Sequence, residues 1–151
     1  MKKNIVLLML ASLIGFSGCY DLDRAPFDQP SSSTFWKTED QCIQGLMGIY
    51  STLKKDDLFG KQFLLDINSD LGSGYDQYEA LQLGTCTPTT GFLNGKWQNG
   101  YNTIQAANLA IRSIGQSEIA EATKTPLIGE AKFIRALTYF HLMSYFGGVP
   151  I

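Results

Sequence analysis

The chain has 151 residues, 17% of them charged and 44% hydrophobic, with a formal charge of -2. That length allows one domain at most. The acidic balance argues against nucleic-acid binding, and a single histidine, His141, far from all three cysteines leaves no zinc-type spacing.

Lys2 and Lys3 precede an apolar run from Ile5 to Ile14, and Gly15-Phe16-Ser17-Gly18 leads to Cys19. The run is too short for a stable bilayer span, which takes about 20 residues. Basic start, apolar run and small residues have the shape of a secretory signal, with a cysteine where the usual site would fall. An ordinary signal peptide with a chance cysteine is the bland reading. A lipobox is the reading taken here: residues 1–18 form a lipoprotein signal, and the sulfur of Cys19 carries a diacylglyceryl thioether. Removing residues 1–18 takes the formal charge from -2 to -4. The acidic Tyr20-Asp21-Leu22-Asp23 that follows is not drawn to anionic lipid, so the attachment rests on acyl chains.

Residues 19–37 hold two prolines and a serine run with little apolar periodicity, and read as a lipid-anchored extended tether. The folded region is expected over 38–151. Thr38 can cap a first helix, with Gln41 completing a capping box and Glu39 and Asp40 at the positive end of its dipole. Ile43, Leu46, Met47, Tyr50 and Leu53 supply the helical period to about residue 54. Gly45 and Gly48 weaken that helix and imply close approach by another helix.

Residues 59–91 have little periodicity. Phe63 to Ile67 can be helix or strand, and the Gly- and Thr-rich stretch after it reads as a long loop, functional or disordered. Tyr75 and Tyr78 lie there beside Asp70, Asp76 and Glu79. Asp70, Tyr75 and Tyr78 are the candidate ligand-binding residues. Tyrosine faces stack on pyranose rings, though they serve protein interfaces equally well.

A second helix is expected near 92–114, with Trp97, Tyr101, Ile104, Asn108 and Ile111 on its apolar face. Asn108 reads as a buried amide bonded to backbone. A third is expected at 126–146, from the Thr125-Pro126 start to the Gly147-Gly148 stop. It is apolar nearly all round, and more of its surface asks for cover than two other helices provide. His141 lies within it and reads as a packed or partner-contacting side chain rather than a general base. Cys42 reads as a buried thiol, with a Cys42–Cys86 disulfide the less favoured alternative. No catalytic pairing, phosphate loop or cofactor motif is present, so a binding protein is expected rather than an enzyme.

In order along the chain, the Cys19 site, "SSSTFWKTEDQCIQGLMGIYSTL", "WQNGYNTIQAANLAI" and "GEAKFIRALTYFHLMSYFGGVPI" together resemble the SusD (RagB/SusD) family of outer-membrane nutrient-uptake lipoproteins. The resemblance covers the family's N-terminal portion only. It implies an all-α fold of tetratricopeptide-like helix pairs, incomplete at 151 residues, with the second and third helices as the first pair. It also implies oligosaccharide or another nutrient as ligand and a SusC-type TonB-dependent transporter as partner. The place implied is the cell outer membrane, lipid-anchored and facing outward, with most sugar-contacting loops expected beyond Ile151. The competing expectation is a helical-repeat lipoprotein that binds only protein.

Overall fold

The computed structural model describes residues 35–61, 63–75 and 78–151. Cys19 and nearly all of the expected tether lie outside them. Among the described residues there is no strand, and the fold is all-α.

Helix α1 runs Glu39–Leu53. Both halves of its capping box form: Thr38 Oγ1 accepts from the Gln41 amide at 3.3 Å, and Gln41 Oε1 accepts from the Thr38 amide at 3.2 Å. Just before it, Trp36 has a positive φ of 74°. This turns the indole back over Gly45, where any Cβ would overlap the ring. The close neighbour of Gly45 is therefore this indole and not another helix, and Gly48 has nothing near it. Phe35 meets Trp36 edge to face at 5.0 Å.

After α1 the chain makes a π-helical turn, Asp56–Gly60, then two short helices, α2 (Leu64–Ile67) and α3 (Glu79–Gln82). Phe63 to Ile67 thus resolves as helix. Two long helices follow, α4 (Gly91–Gln116) and α5 (Glu121–Phe146). Contacts between them join Lys96 to His141, Gly100 to Leu142 and Asn108 to Arg135, so the pair is antiparallel.

The buried stripe of α4 is Phe92, Lys96, Gly100, Thr103, Ala107, Ala110 and Ile114, with Ile104 beside it. It is turned from the face the large side chains suggest. Small residues at Gly100, Ala107 and Ala110 let α5 approach, a Cβ on Gly100 would stand 2.7 Å from Leu142 Cδ2, and Thr103 is bonded to Thr52 of α1 at 2.9 Å. Trp97 and Tyr101 are displaced to the edge, where Trp97 meets Phe146 at 5.2 Å. Asn108 is exposed, not buried, and its side-chain oxygen accepts from Arg135 Nη1 at 2.7 Å.

Helix α5 begins at Glu121, ahead of the expected Thr125-Pro126. Its first turn closes on Ala120, whose carbonyl accepts from the Thr123 and Lys124 amides at 3.0 Å each. Pro126 follows in the second turn, where it removes one donor. The carbonyl it deprives belongs to Ala122, which is exposed to water. At the other end Gly147 takes a φ of 73° and closes the helix onto the Met143 carbonyl at 2.9 Å.

Cys42, Leu46 and Ile49 of α1 pack with Ala107, Ala110 and Ile114 of α4 and Leu127, Ala131 and Ile134 of α5, forming the main core. Cys42 is a fully buried thiol, and Cys86 is a second free thiol, half-buried. The opposite side of α5 leaves Phe133, Phe140 and Met143 in solvent, at 64%, 71% and 55% exposure. No helix among the described residues is long and apolar enough to cross a membrane.

Candidate functional site

A smaller core joins the segment between α1 and α4 to the helix pair. Leu64, Ile67 and Phe92 are buried in it, with Tyr78, Leu81 and Tyr145 packed around them. On its outer side a cleft of about 410 Å³ opens between Phe63 and Tyr78. That lies within the ~300–1,000 Å³ range of small-molecule sites. Asp66, Ile67, Leu71, Ser73 and Tyr75 complete its lining together with two glycines.

Both glycines serve close approach. A Cβ at Gly74 would come within 2.8 Å of the Tyr78 carbonyl, and one at Gly72 within 3.0 Å of the Asp66 backbone. The Gly74 amide donates to Gln82 Oε1 at 2.9 Å, which ties the loop to α3.

The two tyrosines differ in state. Tyr78 is half-buried, meets Phe63 edge to face at 5.7 Å, and accepts at its hydroxyl from Lys61 Nζ at 3.1 Å. Lys61 is itself paired with Asp56 at 2.9 Å, and these two contacts hold its ammonium firmly protonated. Tyr78 is thus a fixed wall. Tyr75 is 82% exposed, with its carbonyl accepting from the Tyr78 amide at 3.2 Å. Asp70 is exposed and outside the cleft; the carboxylate in the lining belongs to Asp66. Tyr75 and Tyr78, the tyrosines singled out from the sequence, both line the cleft. The sequence alone misses Phe63 and Asp66, which reach the cleft only because Phe63 to Ile67 coils into a helix.

Behind this wall is a cation that periodicity does not flag. Lys96 is 1% exposed. Its ammonium donates to the Asp57 carbonyl at 2.6 Å and lies 2.8 Å from His141 Nε2. It also lies 4.7 Å from the Phe92 ring centre and 4.2 Å from that of Tyr145. Burial lowers the Lys96 pKa to about 8, partly offset by the Asp57 charge. His141 packs against Phe59 at 4.5 Å and Tyr145 at 5.2 Å. Burial, and then the Lys96 charge, push its pKa down to about 4, against a backbone hydrogen bond with Leu58. A neutral imidazole accepting from an ammonium satisfies both groups and leaves neither poised over an open site. Among the described residues no group of three or more histidine, cysteine or acidic side chains could hold a metal ion.

Three exposed or half-exposed aromatic rings, one of them the held Tyr78, and a lone carboxylate on an α-helical frame describe a binding surface. Residues 22–151 match the SusD-like family described as "Starch-binding associating with outer membrane", and the chain belongs to that family. It is 26% identical to SusD-like protein P2 of Formosa agariphila, over 98% of this chain and 31% of that protein. A second SusD-like protein of Formosa agariphila is 30% identical, with 100% and 31% covered. A SusD-like protein of Bacteroides ovatus is 28% identical, with 99% and 28% covered. The chain therefore spans less than a third of the length of these relatives. No solved structure matches it.

Proposed function

We propose that the chain serves in oligosaccharide capture at the cell outer membrane, as the N-terminal helical part of a SusD-like lipoprotein. In this reading Cys19 is acylated and anchors the protein with its folded part outward. The nutrient captured passes to a SusC-type TonB-dependent transporter. Family membership supports glycan binding at the outer membrane; the transporter and the anchor extend that reading. The observation that carries the ligand assignment is the cleft wall: Tyr78 is held by Phe63 and Lys61 in one orientation, so little ordering is needed before a sugar face can stack on it.

The exposed Tyr75 side chain would have to be fixed on binding, at up to about 2 kcal/mol of lost rotamer freedom. A stacked ring returns only about 0.5–1.5 kcal/mol beyond burial. Affinity of these residues by themselves is therefore expected to be weak. Titration with soluble starch oligosaccharides, followed by saturation-transfer NMR, should show contact that is lost in Tyr78→Ala and reduced in Tyr75→Ala. Contact that survives Tyr78→Ala would place the sugar elsewhere. Loss of fatty-acid labelling in Cys19→Ala checks the anchor separately.

A second reading, a helical-repeat lipoprotein that contacts only protein, draws on the exposed Phe133, Phe140 and Met143 of α5. The same titration separates the two, since that reading expects no saccharide contact at Tyr78.

A further inference from the structure

We infer that the cleft between Phe63 and Tyr78 takes uncharged saccharides and turns away acidic ones. This rests on the glycan-binding reading above and specifies the substrate class for that site.

The first ground is charge. From residue 62 to residue 95 the sequence contains no lysine or arginine, while Asp66, Asp70, Asp76 and Glu79 all fall in this stretch. Asp66 is in the cleft lining itself, and the lining contains no cation. The two lysines that bracket the stretch are both committed. Lys61 is paired with Asp56 at 2.9 Å and bonded to the Tyr78 hydroxyl, and it lines the neighbouring depression with Asp56 and Asp57. Lys96 is 1% exposed and directed inward to the Asp57 carbonyl and His141. Lys54 and Lys55, at the end of α1, line neither depression. An arriving carboxylate or sulfate would meet the Asp66 charge in the lining, and the nearest cation, the Lys61 ammonium 5.9 Å from the Tyr78 ring centre, is already paired with Asp56. Like charges brought together across a binding surface discriminate strongly against the wrong ligand.

The second ground is hydrogen-bond chemistry. The Asp66 carboxylate is acceptor-only when ionised, and the Ser73 hydroxyl can accept as well as donate. Sugar hydroxyls can donate to the Asp66 carboxylate as well as accept from the hydroxyls of Ser73, Tyr75 and Tyr78. A uronate replaces a donor with an acceptor at the carboxylated carbon, so it loses a bond and adds repulsion at once. The rings of Phe63, Tyr75 and Tyr78 give apolar faces that are indifferent to the ligand's charge. Selection between neutral and acidic glycans within the cleft thus falls to the Asp66 carboxylate.

The experiment compares matched ligands. Malto-, cello- and manno-hexaose are each paired with the same oligosaccharide oxidised to the carboxylate at C6. Each pair is titrated into the full chain by saturation-transfer NMR, at low ionic strength and again at high. The Asp66 carboxylate in the lining, with the acidic residues near it in sequence, should favour the neutral member by roughly several-fold at low salt, narrowing near ~0.3 M. Replacing the exposed carboxylates in Asp70→Asn/Glu79→Gln should narrow the low-salt gap in the same direction. An oxidised member that binds as well as its neutral partner in low salt, or better, overturns the charge inference and leaves glycan binding intact. If neither member of any pair makes contact, the glycan reading itself fails and this inference goes with it. The salt series on the unaltered chain decides the matter even if the double variant folds poorly.

Discussion

The ammonium of Lys96 lies 2.8 Å from Nε2 of His141, a residue 45 positions later, and joins α4 to α5 directly behind the cleft wall. One of the two must be neutral for this contact to hold, and the low His141 pKa of about 4 identifies it as the imidazole.

Two pH windows follow from this pair. The unfolded chain binds a proton on Lys96 more tightly than the folded one, because the folded pKa is about 8 rather than 10.5. Stability should therefore rise as pH goes from about 8 to about 10.5, by on the order of 3 kcal/mol at ~1.4 per unit. For His141 the folded pKa is about 4 against 6.5, so stability should fall as pH drops from about 6.5 to about 4. Urea unfolding across pH 4 to 10 reads both limbs. In Lys96→Met the alkaline rise should flatten and the acid fall should shrink, because the Lys96 charge helps to depress His141. An unchanged pH profile in that variant would show that the pair does not set it.

The contact of Gly100 with Leu142 should behave as a coupled pair. Gly100→Ala puts a methyl 2.7 Å from Leu142 Cδ2 and should destabilise by about 1–3 kcal/mol despite alanine's better helix propensity. Leu142→Ala alone should cost about 2–5 kcal/mol, since Leu142 is fully buried. The double variant should lose less than the two together, because the leucine removed is the group the new methyl strikes. Strict additivity in denaturant unfolding would show that the helices shift apart instead.

Thr38→Ala should cost about 1 kcal/mol, through the lost hydroxyl acceptor for the Gln41 amide. Thr38→Ser should restore most of it. Thermal unfolding of both variants checks this, and a neutral Thr38→Ala would mean that the indole of Trp36 alone fixes the start of α1.

Cys86 should react with a thiol reagent much faster than Cys42 in a chain carrying Cys19→Ser. Cys86 is half-buried, whereas Cys42 is fully buried and burial raises its thiol pKa. Cys42 should become reactive only on unfolding, so its labelling rate should follow denaturant concentration. Equal rates in native buffer would contradict the packing of α1 on α4.

Local chemistry made α1 legible: Thr38, Gln41 and the apolar period all point to one start and one face, and the helix forms there. The faces of α4 were less legible. Large apolar residues dominate any periodicity, yet the buried stripe of this helix includes Gly100, Thr103, Ala107 and Ala110, and the large rings of Trp97 and Tyr101 are pushed to its rim. A buried Lys96 cannot be read from a pattern that counts lysine as surface; only the fold supplies the Asp57 carbonyl and the imidazole that make its burial tolerable. The start of α5 was drawn to Thr125-Pro126 by a local cap signal. The amides of Thr123 and Lys124 had already closed a turn on Ala120, which has no capping side chain. In the cleft, Tyr75 and Tyr78 could be named from composition. Asp70 and Asp66 could not be told apart until the turn after Ile67 placed one outside and the other within.

The indole of Trp36 across Gly45 also has a mechanical meaning. Tension arriving at Phe35 from the preceding chain meets this wedge first. The ring must slide off the backbone of α1 before load reaches the paired hydrogen bonds of Thr38 and Gln41. The Cys42 sulfur, 3.8 Å from the Trp36 carbonyl, is loaded together with that residue. A pull from the N-terminal side is thus met first at the margin of the fold, away in sequence from the segment 63–78 that lines the cleft.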